Sequence, residues 1–204
     1  MDGQNHNRGI AGHMITVQFR DVEMHFETDA SLFSPGHADR GSLRMLDHVA
    51  FSNEDIVLDL GCGYGLVGVY AGMCIPPAQV YMSDIHPLAV QFAADNVRRN
   101  HLTGVTVVCG NAYEAVGRSD FTLILSNPPY HTDFSVAKTF LEKGFNRLAI
   151  GGRFYMVTRR KEWYKNKFIA IFGGVHIWEE DGYFIFMAQK TTGKYANSTD
   201  KKHA

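Results

Sequence analysis

Residues 56–65 read IVLDLGCGYG, a short apolar run that leads directly into a glycine-rich turn. Aliphatic and β-branched residues in such a run are typical of a strand buried on both faces. Glycines let the backbone turn tightly and approach a ligand without a clash from Cβ. The aliphatic residues after the turn predict a helix over 65–73, whose first turn offers unpaired N–H groups to a ligand.

Strands and helices alternate along the rest of the chain. Apolar runs predict further strands over 80–84, 105–109, 121–126 and 153–158, and helical spacing predicts helices over 38–51, 87–100, 134–149 and 163–172, with Gly151-Gly152 ending the third of these. This alternation indicates βαβ units and a largely parallel sheet, an α/β fold. An Asp181-Gly182 turn between runs 175–179 and 183–189 predicts a terminal hairpin with at least one antiparallel strand, and runs 15–19 and 22–26 predict a smaller hairpin.

Composition restricts the class of protein. The chain has 204 residues with 20 Lys+Arg against 21 Asp+Glu, so no overall basic field exists and nucleic acid would need a local patch. Three cysteines without CxxC spacing suit a reducing cytoplasm and argue against disulfides or zinc. Ten histidines show no helical metal-binding spacing. No apolar run approaches the ~18 residues of a membrane span. We predict one domain over 15–190, a flexible leader over 1–14 and a flexible tail over 191–204.

Asp84 ends the strand predicted after the glycine turn. Because the carboxyl ends of parallel strands share one edge, its carboxylate lies near the turn and can accept both ribose hydroxyls of a nucleoside cofactor. Glycines 63, 65 and 68 also spell the dinucleotide pattern G-x-G-x-x-G. The register argues against that pattern, because the strand ends at Leu60 and the third glycine, counted from Gly61, would fall on a leucine.

Residues 127–130, Asn-Pro-Pro-Tyr, directly follow the strand predicted over 121–126. The two prolines fix the backbone and remove two N–H donors, which leaves carbonyls and the Asn127 side-chain oxygen as acceptors. An exocyclic amine needs such acceptors, because its lone pair is delocalised and must be oriented toward an electrophile. Tyr130 offers a ring for stacking a planar substrate. Asn127, Pro128, Pro129 and Tyr130 are therefore the predicted catalytic residues.

Several segments together resemble the small-domain (MTS) family of class I methyltransferases that depend on S-adenosylmethionine (SAM). They are LFSPG at 32–36, Asp39, Gly41-Ser42, LDLGCGYG, SDIHPLAV and SNPPYH, and the likeness extends over about residues 15–190. Within that family the chain is most similar to the type that methylates guanine N2 in small-subunit ribosomal RNA. The resemblance implies a Rossmann-like fold with a seven-stranded, mostly parallel sheet, one antiparallel strand, and helices on both faces.

The resemblance also implies roles for individual residues. The SAM contacts would be Asp59, Gly61, Cys62, Gly63, Gly65, Asp84, Ile85, Asn111, Ala112 and Asn127. His131 matches the guanine type, in which histidine follows NPP and an aromatic residue. Asn111 departs from the family, which has an acid there. The guanine type also carries a second, N-terminal domain that these residues lack, so docking by such a domain is not implied. We expect Cys62 to pack, not to act as a nucleophile.

Residues 159–167 hold five basic residues and one acid, interleaved with Trp163 and Tyr164. The segment begins at the carboxyl end of a predicted strand, beside the crevice. Arg159, Arg160 and Lys161 are predicted to contact RNA phosphates, while Tyr130 and His131 contact the base. The alternative for the basic segment is a solvated helix start.

The sequence thus predicts a cytoplasmic, SAM-dependent N-methyltransferase acting on RNA, in the first place on guanine N2 of ribosomal RNA, without metal or membrane. Three alternatives remain open: N5-methylation of a protein glutamine, N6-methylation of adenine, and a SAM-binding module without catalysis.

Overall fold

The computed structural model describes residues 12–29, 37–111, 113–114, 116–129 and 134–196. A hairpin comes first, made of β1 (His13–Phe19) and β2 (Val22–Thr28). The main sheet has seven strands: β3 (Val57–Leu60), β4 (Val80–Asp84), β5 (Thr106–Cys109), β6 (Phe121–Ser126), β7 (Leu148–Thr158), β8 (His176–Glu180) and β9 (Tyr183–Gln189). Their order is β5-β4-β3-β6-β7-β9-β8. Strand β9 runs antiparallel to both of its neighbours, β7 and β8, as predicted, and the other neighbouring strands pair in parallel.

Helices cover both faces of this sheet. They are α1 (Arg40–Asp47), α2 (Leu66–Cys74), α3 (Pro87–Arg99), α4 (Ser135–Arg147) and α5 (Glu162–Phe172), with one 3-10 turn at Pro77–Gln79. Helices α1 to α3 share one core with the hairpin, and α4 and α5 share another. Strand β3 contributes Val57 to the first core and Leu58 and Leu60 to the second. Burial on both faces explains why this strand lacks polar alternation.

The boundary between α4 and β7 differs from the prediction. The helix ends at Arg147 and β7 begins at once with Leu148, so Gly151-Gly152 do not end the helix but lie inside the strand. The pairing between β6 and β7 shifts register there, and Gly151 takes φ +86°. A register shift places one residue in a left-handed conformation that glycine adopts without strain.

Helix α1 is shorter than the predicted 38–51. Its N-cap is Asp39, whose carboxylate accepts a hydrogen bond from the Ser42 N–H at 2.6 Å. Aspartate at this position satisfies an N–H that the helix itself leaves unpaired. Beyond Asp47 the chain is irregular: Val49 packs in the core, whereas Ala50 is exposed.

Both predicted flexible segments contain ordered residues. Strand β1 begins at His13, inside the predicted leader. Tyr195, in the predicted tail, packs edge-on against Phe145 with ring centroids 4.9 Å apart. Its hydroxyl donates to the Glu142 carbonyl at 2.9 Å. The domain therefore extends a few residues beyond both predicted limits.

Asn96 of α3 and Asn100, the C-cap of that helix, attach the hairpin to the domain. Asn96 accepts from the Glu27 N–H at 2.8 Å and donates to the Glu27 carbonyl at 2.9 Å. Asn100 makes the same pair of bonds with His25, at 2.9 and 2.7 Å. The two side-chain amides thus make the hydrogen bonds to the β2 backbone that a neighbouring strand would otherwise make. Asn96 also donates to the Tyr64 carbonyl at 2.8 Å, which joins the hairpin to the glycine turn.

Candidate cofactor and substrate site

A cavity of about 450 Å³ opens at the carboxyl ends of β3, β4 and β6. From β3 the strand order proceeds through β4 to β5 in one direction, and from β6 it proceeds through β7 in the other. Open α/β sheets bind ligands at such a switch point. The lining comes from the glycine turn, the end of β4, Asn111, the loop after β6, and the first turns of α1 and α4. Loops distant in sequence therefore meet at one edge.

The three glycines of the turn all have left-handed backbones, but they serve different purposes. A Cβ on Gly63 (φ +54°) would meet no atom within 4 Å, because this residue faces the open cavity. A Cβ on Gly65 (φ +99°) would lie 2.8 Å from Met82 Cε. Gly61 and Gly63 line the cavity, whereas Gly65, predicted as a cofactor contact, is outside the lining and allows α2 to pack on β4.

Asp84 is held by two backbone N–H groups at the cavity wall. Its Oδ2 accepts from Gly63 and its Oδ1 from His86, each at 2.9 Å. Each carboxylate oxygen keeps further acceptor capacity for a donor in the cavity, as a pair of vicinal hydroxyls requires. Ile85, 69% exposed, stands at the rim, and Asn111 lines the wall. The predicted contact Ala112 lies outside the described residues.

Asp59 is a buried carboxyl beneath the turn. Its Oδ2 accepts from the Gly68 N–H of α2 at 2.8 Å, so it ties the strand end to the helix. Burial raises the pKa of Asp59 to about 7; the charge of Asp84 acts in the same direction, and the Gly68 N–H opposes both. Asp59 therefore combines a structural bond with a position in the cavity wall.

The Cys62 thiol is buried within the turn, and burial raises its pKa well above the ordinary value, with Asp59 and Asp84 adding to the effect. A thiol that resists ionisation is a poor nucleophile. The surroundings of Cys62 thus support a packing role.

The residues present fit SAM. Gly63 leaves space that a side chain would fill, and Asp84 presents a clamped carboxylate. Ser83 Oγ lines the cavity, is buried, and has no hydrogen-bond partner among the described residues. The carboxylates of Asp39 and Asp84 line the cavity beside the Asp59 carboxyl with its raised pKa, and the described lining includes no lysine or arginine. Such a wall favours a cationic ligand, and SAM carries a sulfonium charge.

Asn127 stands opposite the glycine turn with its side-chain amide held at one end. Its Nδ2 donates to Asp39 Oδ1 at 2.6 Å and to Ser42 Oγ at 3.1 Å. Pro128 is buried and lies outside the cavity lining, whereas Pro129 is exposed and belongs to it. The predicted residues Tyr130 and His131 lie outside the described residues. The sequence indicates Asp39 and Ser42 only through the family resemblance, which implies no role for them.

The first two turns of α4 complete the wall. Sequence reasoning missed this contribution, which comes from Ser135, Val136, Thr139 and Phe140. The available signal was the position of the helix directly after the NPPY segment, which directs its first turns toward the strand ends.

The predicted basic segment lies beside the cavity and outside its lining. Arg159 donates to the Tyr183 hydroxyl at 3.0 Å, and Lys161 pairs with Glu179 at 2.9 Å. Arg160 is exposed, with its guanidinium 5.0 Å from the centroid of the Phe134 ring. Phe134 immediately precedes α4. Within the described part of the chain, Arg160 forms no ion pair with a carboxylate.

The family model for the methyltransferase small domain matches residues 23–187. The chain belongs to that family. The membership confirms the resemblance that the glycine turn and the NPPY segment indicated.

Its relatives include ribosomal RNA small subunit methyltransferase C of Pseudoalteromonas translucida, 31% identical over 146 residues, or 70% of this chain and 42% of the relative. The protein of that name from Haemophilus ducreyi is 36% identical over 61% of this chain and 39% of its own length. The uncharacterised Bacillus subtilis protein YbxB is 26% identical over 86% of this chain and 90% of its own. The chain thus spans less than half the length of the two named methyltransferases.

Among solved structures, the T. thermophilus 16S rRNA N2 methyltransferase RsmC, in complex with AdoMet and guanosine, superposes with a TM-score of 0.81. The alignment has 23% identity and covers 88% of this chain and 50% of that one. This likeness confirms the predicted fold class.

No helix within the described residues is long and apolar enough to cross a membrane. No group of three or more His, Cys, Asp or Glu side chains there could hold a metal ion.

Proposed function

We propose that this domain transfers a methyl group from SAM to an exocyclic amine, guanine N2 in ribosomal RNA. The observation that carries the proposal is the held amide of Asn127. Both hydrogens of its Nδ2 are directed to Asp39 and Ser42, so its Oδ1 is the end available to an amine in the cavity. The clamped carboxylate of Asp84 supports binding of the methyl donor in the same cavity.

SAM, when bound, supplies an electrophilic methyl group. The Asn127 oxygen would accept an amine N–H group, which localises the nitrogen lone pair and aims it along the line of displacement. The nitrogen–carbon bond forms as the carbon–sulfur bond breaks, the sulfur keeps the electron pair, and one amine proton passes to solvent. Positioning and local dipoles do this work, so no general base is required of the chain.

Ribosomal RNA as substrate is supported by the relatives named for that activity and by the basic segment. Arg160, exposed and stacked on Phe134, is the residue best placed to meet a phosphate next to a base in the cavity. Arg159 and Lys161 already have protein partners, so the predicted contribution of all three cations reduces chiefly to Arg160. A cytoplasmic location is part of the same proposal.

Nucleoside mass spectrometry tests the activity. The purified chain is incubated with isotopically labelled SAM and, in parallel, with naked ribosomal RNA, small ribosomal subunits and a whole-cell protein extract from a strain lacking the gene. We expect label in N2-methylguanosine. Label in N6-methyladenosine or in N5-methylglutamine would replace the proposed substrate by one of the alternatives. SAM binding without transfer to any of them would favour a module without catalysis.

A salt series tests the RNA contact. For wild-type protein and an Arg160→Gln variant, RNA affinity is measured by fluorescence anisotropy. The variant should flatten the slope of log K against log salt by about 0.7, the value of one single-strand phosphate contact. Arg98→Gln is the matched control, because Arg98 is exposed on α3, across the sheet from α4 and α5, and pairs with Asp95. An unchanged slope for Arg160→Gln would mean that the segment is a solvated helix start.

A further inference from the structure

We infer that Asp39 and Ser42 are positioning residues, which fix the Asn127 amide with its oxygen toward the target amine. The inference rests on the proposed function and assigns a role to the N-cap of α1, Asp39, and to Ser42 in its first turn. They contact Asn127 and act through it. Asp39 and Ser42 lie 88 and 85 residues before Asn127 in the sequence.

The two ends of an asparagine amide are nearly equal in size but opposite in hydrogen bonding. An amine in the cavity donates hydrogens, so only the oxygen end of Asn127 can hold it. With the amide turned over, its NH₂ group would face another NH₂ group and repel it. Something must therefore select one of two sterically equivalent orientations.

The contacts of Asn127 make that selection. Asp39 Oδ1 is 2.6 Å from Nδ2, and a carboxylate oxygen only accepts, so the nitrogen end must face it. Ser42 Oγ, at 3.1 Å, takes the second amide hydrogen. No described residue donates to the Asn127 oxygen. The orientation therefore follows from the acceptor character of the partner.

Asp39 is itself held firmly. It is 7% exposed, and the oxygen that receives the Asn127 hydrogen also accepts from the Ser42 N–H at 2.6 Å. Helix α1 is anchored by Met45 and Leu46, both fully buried. The carboxylate thus has a fixed position relative to the sheet, and it transmits that position to the amide.

The N-cap function alone does not require aspartate. Serine caps helices about as well as aspartate does. Asp39→Ser therefore keeps the cap of α1 while it removes the charged acceptor from Asn127. Ser42→Ala keeps the backbone N–H that Asp39 caps and removes only the second acceptor. The two variants separate positioning from helix stability.

The test compares Asp39→Ser, Ser42→Ala, Asn127→Ala and the double variant Asp39→Ser/Asn127→Ala. Single-turnover methylation is measured with excess enzyme, together with SAM affinity and thermal unfolding of each variant. Asn127→Ala should lower the rate by about 100-fold and Asp39→Ser by about 10-fold or more, as for loss of a preorganised hydrogen-bonding group. Ser42→Ala should cost less. The SAM affinity measured for each variant sets a saturating SAM concentration for the rate comparison, because all three side chains also line the cavity.

The double variant decides between positioning and structure. If Asp39 acts through Asn127, Asp39→Ser should slow Asn127→Ala no further, because the amide it orients is gone. A full additional loss in the double variant, or an unchanged rate in Asp39→Ser beside a slow Asn127→Ala, would overturn the inference and leave the proposed function intact. A wild-type rate in Asn127→Ala would overturn both. Ser42→Ala still tests the positioning should Asp39→Ser fail to fold, and a rate equal to wild type would then count against it.

Discussion

Replacement of Asp59 by asparagine should change how the stability of the protein depends on pH. The Asp59 carboxyl is 2% exposed, and burial raises its pKa from an ordinary 3.8 to about 7. Between these values the unfolded chain has released a proton that the folded chain keeps. Raising the pH through this window therefore favours unfolding, and the stability present below pH 4 is lost as the pH rises through about 7.

The size of the effect follows from the two pKa values. Each unit of difference corresponds to about 1.36 kcal/mol. The free energy of unfolding of the ligand-free protein should thus carry a penalty of ~4 kcal/mol from Asp59 above pH 8, relative to pH 4. Asparagine does not titrate, and its side-chain oxygen can still accept from the Gly68 N–H.

Urea unfolding of wild type and Asp59→Asn, measured from pH 4.5 to 8.5, checks this reasoning. The difference in unfolding free energy should move in favour of the variant as the pH rises, and level off above about pH 8. Asp120→Asn is the control: Arg118 holds the pKa of that carboxyl below its ordinary value, so its contribution is constant over this range. A difference between wild type and Asp59→Asn that stays constant with pH would refute the assignment of a protonated Asp59.

Three other outcomes follow from the site and the fold. Gly63→Ala should weaken SAM binding, measured by calorimetry, by ~10-fold or more, as an added methyl group does in a fitted pocket. Gly117→Ala is the control and should not weaken it, because Gly117 is also left-handed and open around its Cβ. Equal SAM affinities of the two variants would mean that the cofactor does not approach the turn. Asp84→Asn should weaken SAM binding by about 10- to 100-fold, the cost of hydrogen bonds to a charged group. Neither the wild type nor this variant should bind NADH, and NADH binding would restore the dinucleotide alternative. Asn96→Ala should lower the free energy of unfolding by about 2–3 kcal/mol, because the part-buried Glu27 backbone groups and the buried Tyr64 carbonyl lose their partner. Asn146→Ala, exposed on α4, should change it little, and urea midpoints compare the two.

Local sequence patterns were sufficient to predict most of the fold. Strands β4, β6 and β9 occur with the predicted bounds, and the turn at Asp181-Gly182 joins β8 to β9. Periodicity and turn residues depend on neighbours within a few positions, so they can be recognised from the sequence alone. The same is true of the glycine turn and of NPPY, whose prolines and glycines restrict the backbone wherever they occur. The predicted start of β7 was wrong because Gly151-Gly152 is compatible locally with either a helix end or a strand irregularity. Only the pairing with β6 selects between them.

The sequence by itself therefore determined the order of the βα units and the segments that reach the cavity. Only the tertiary structure decided which side chains meet there. Asp39 and Asn127 are 88 residues apart, and Asn96 and Glu27 are 69 apart. No local pattern records such pairs, because a hydrogen-bond partner is defined by distance in space. The raised pKa of Asp59 has the same origin, since the removal of water that causes it exists only once both faces of the sheet are covered.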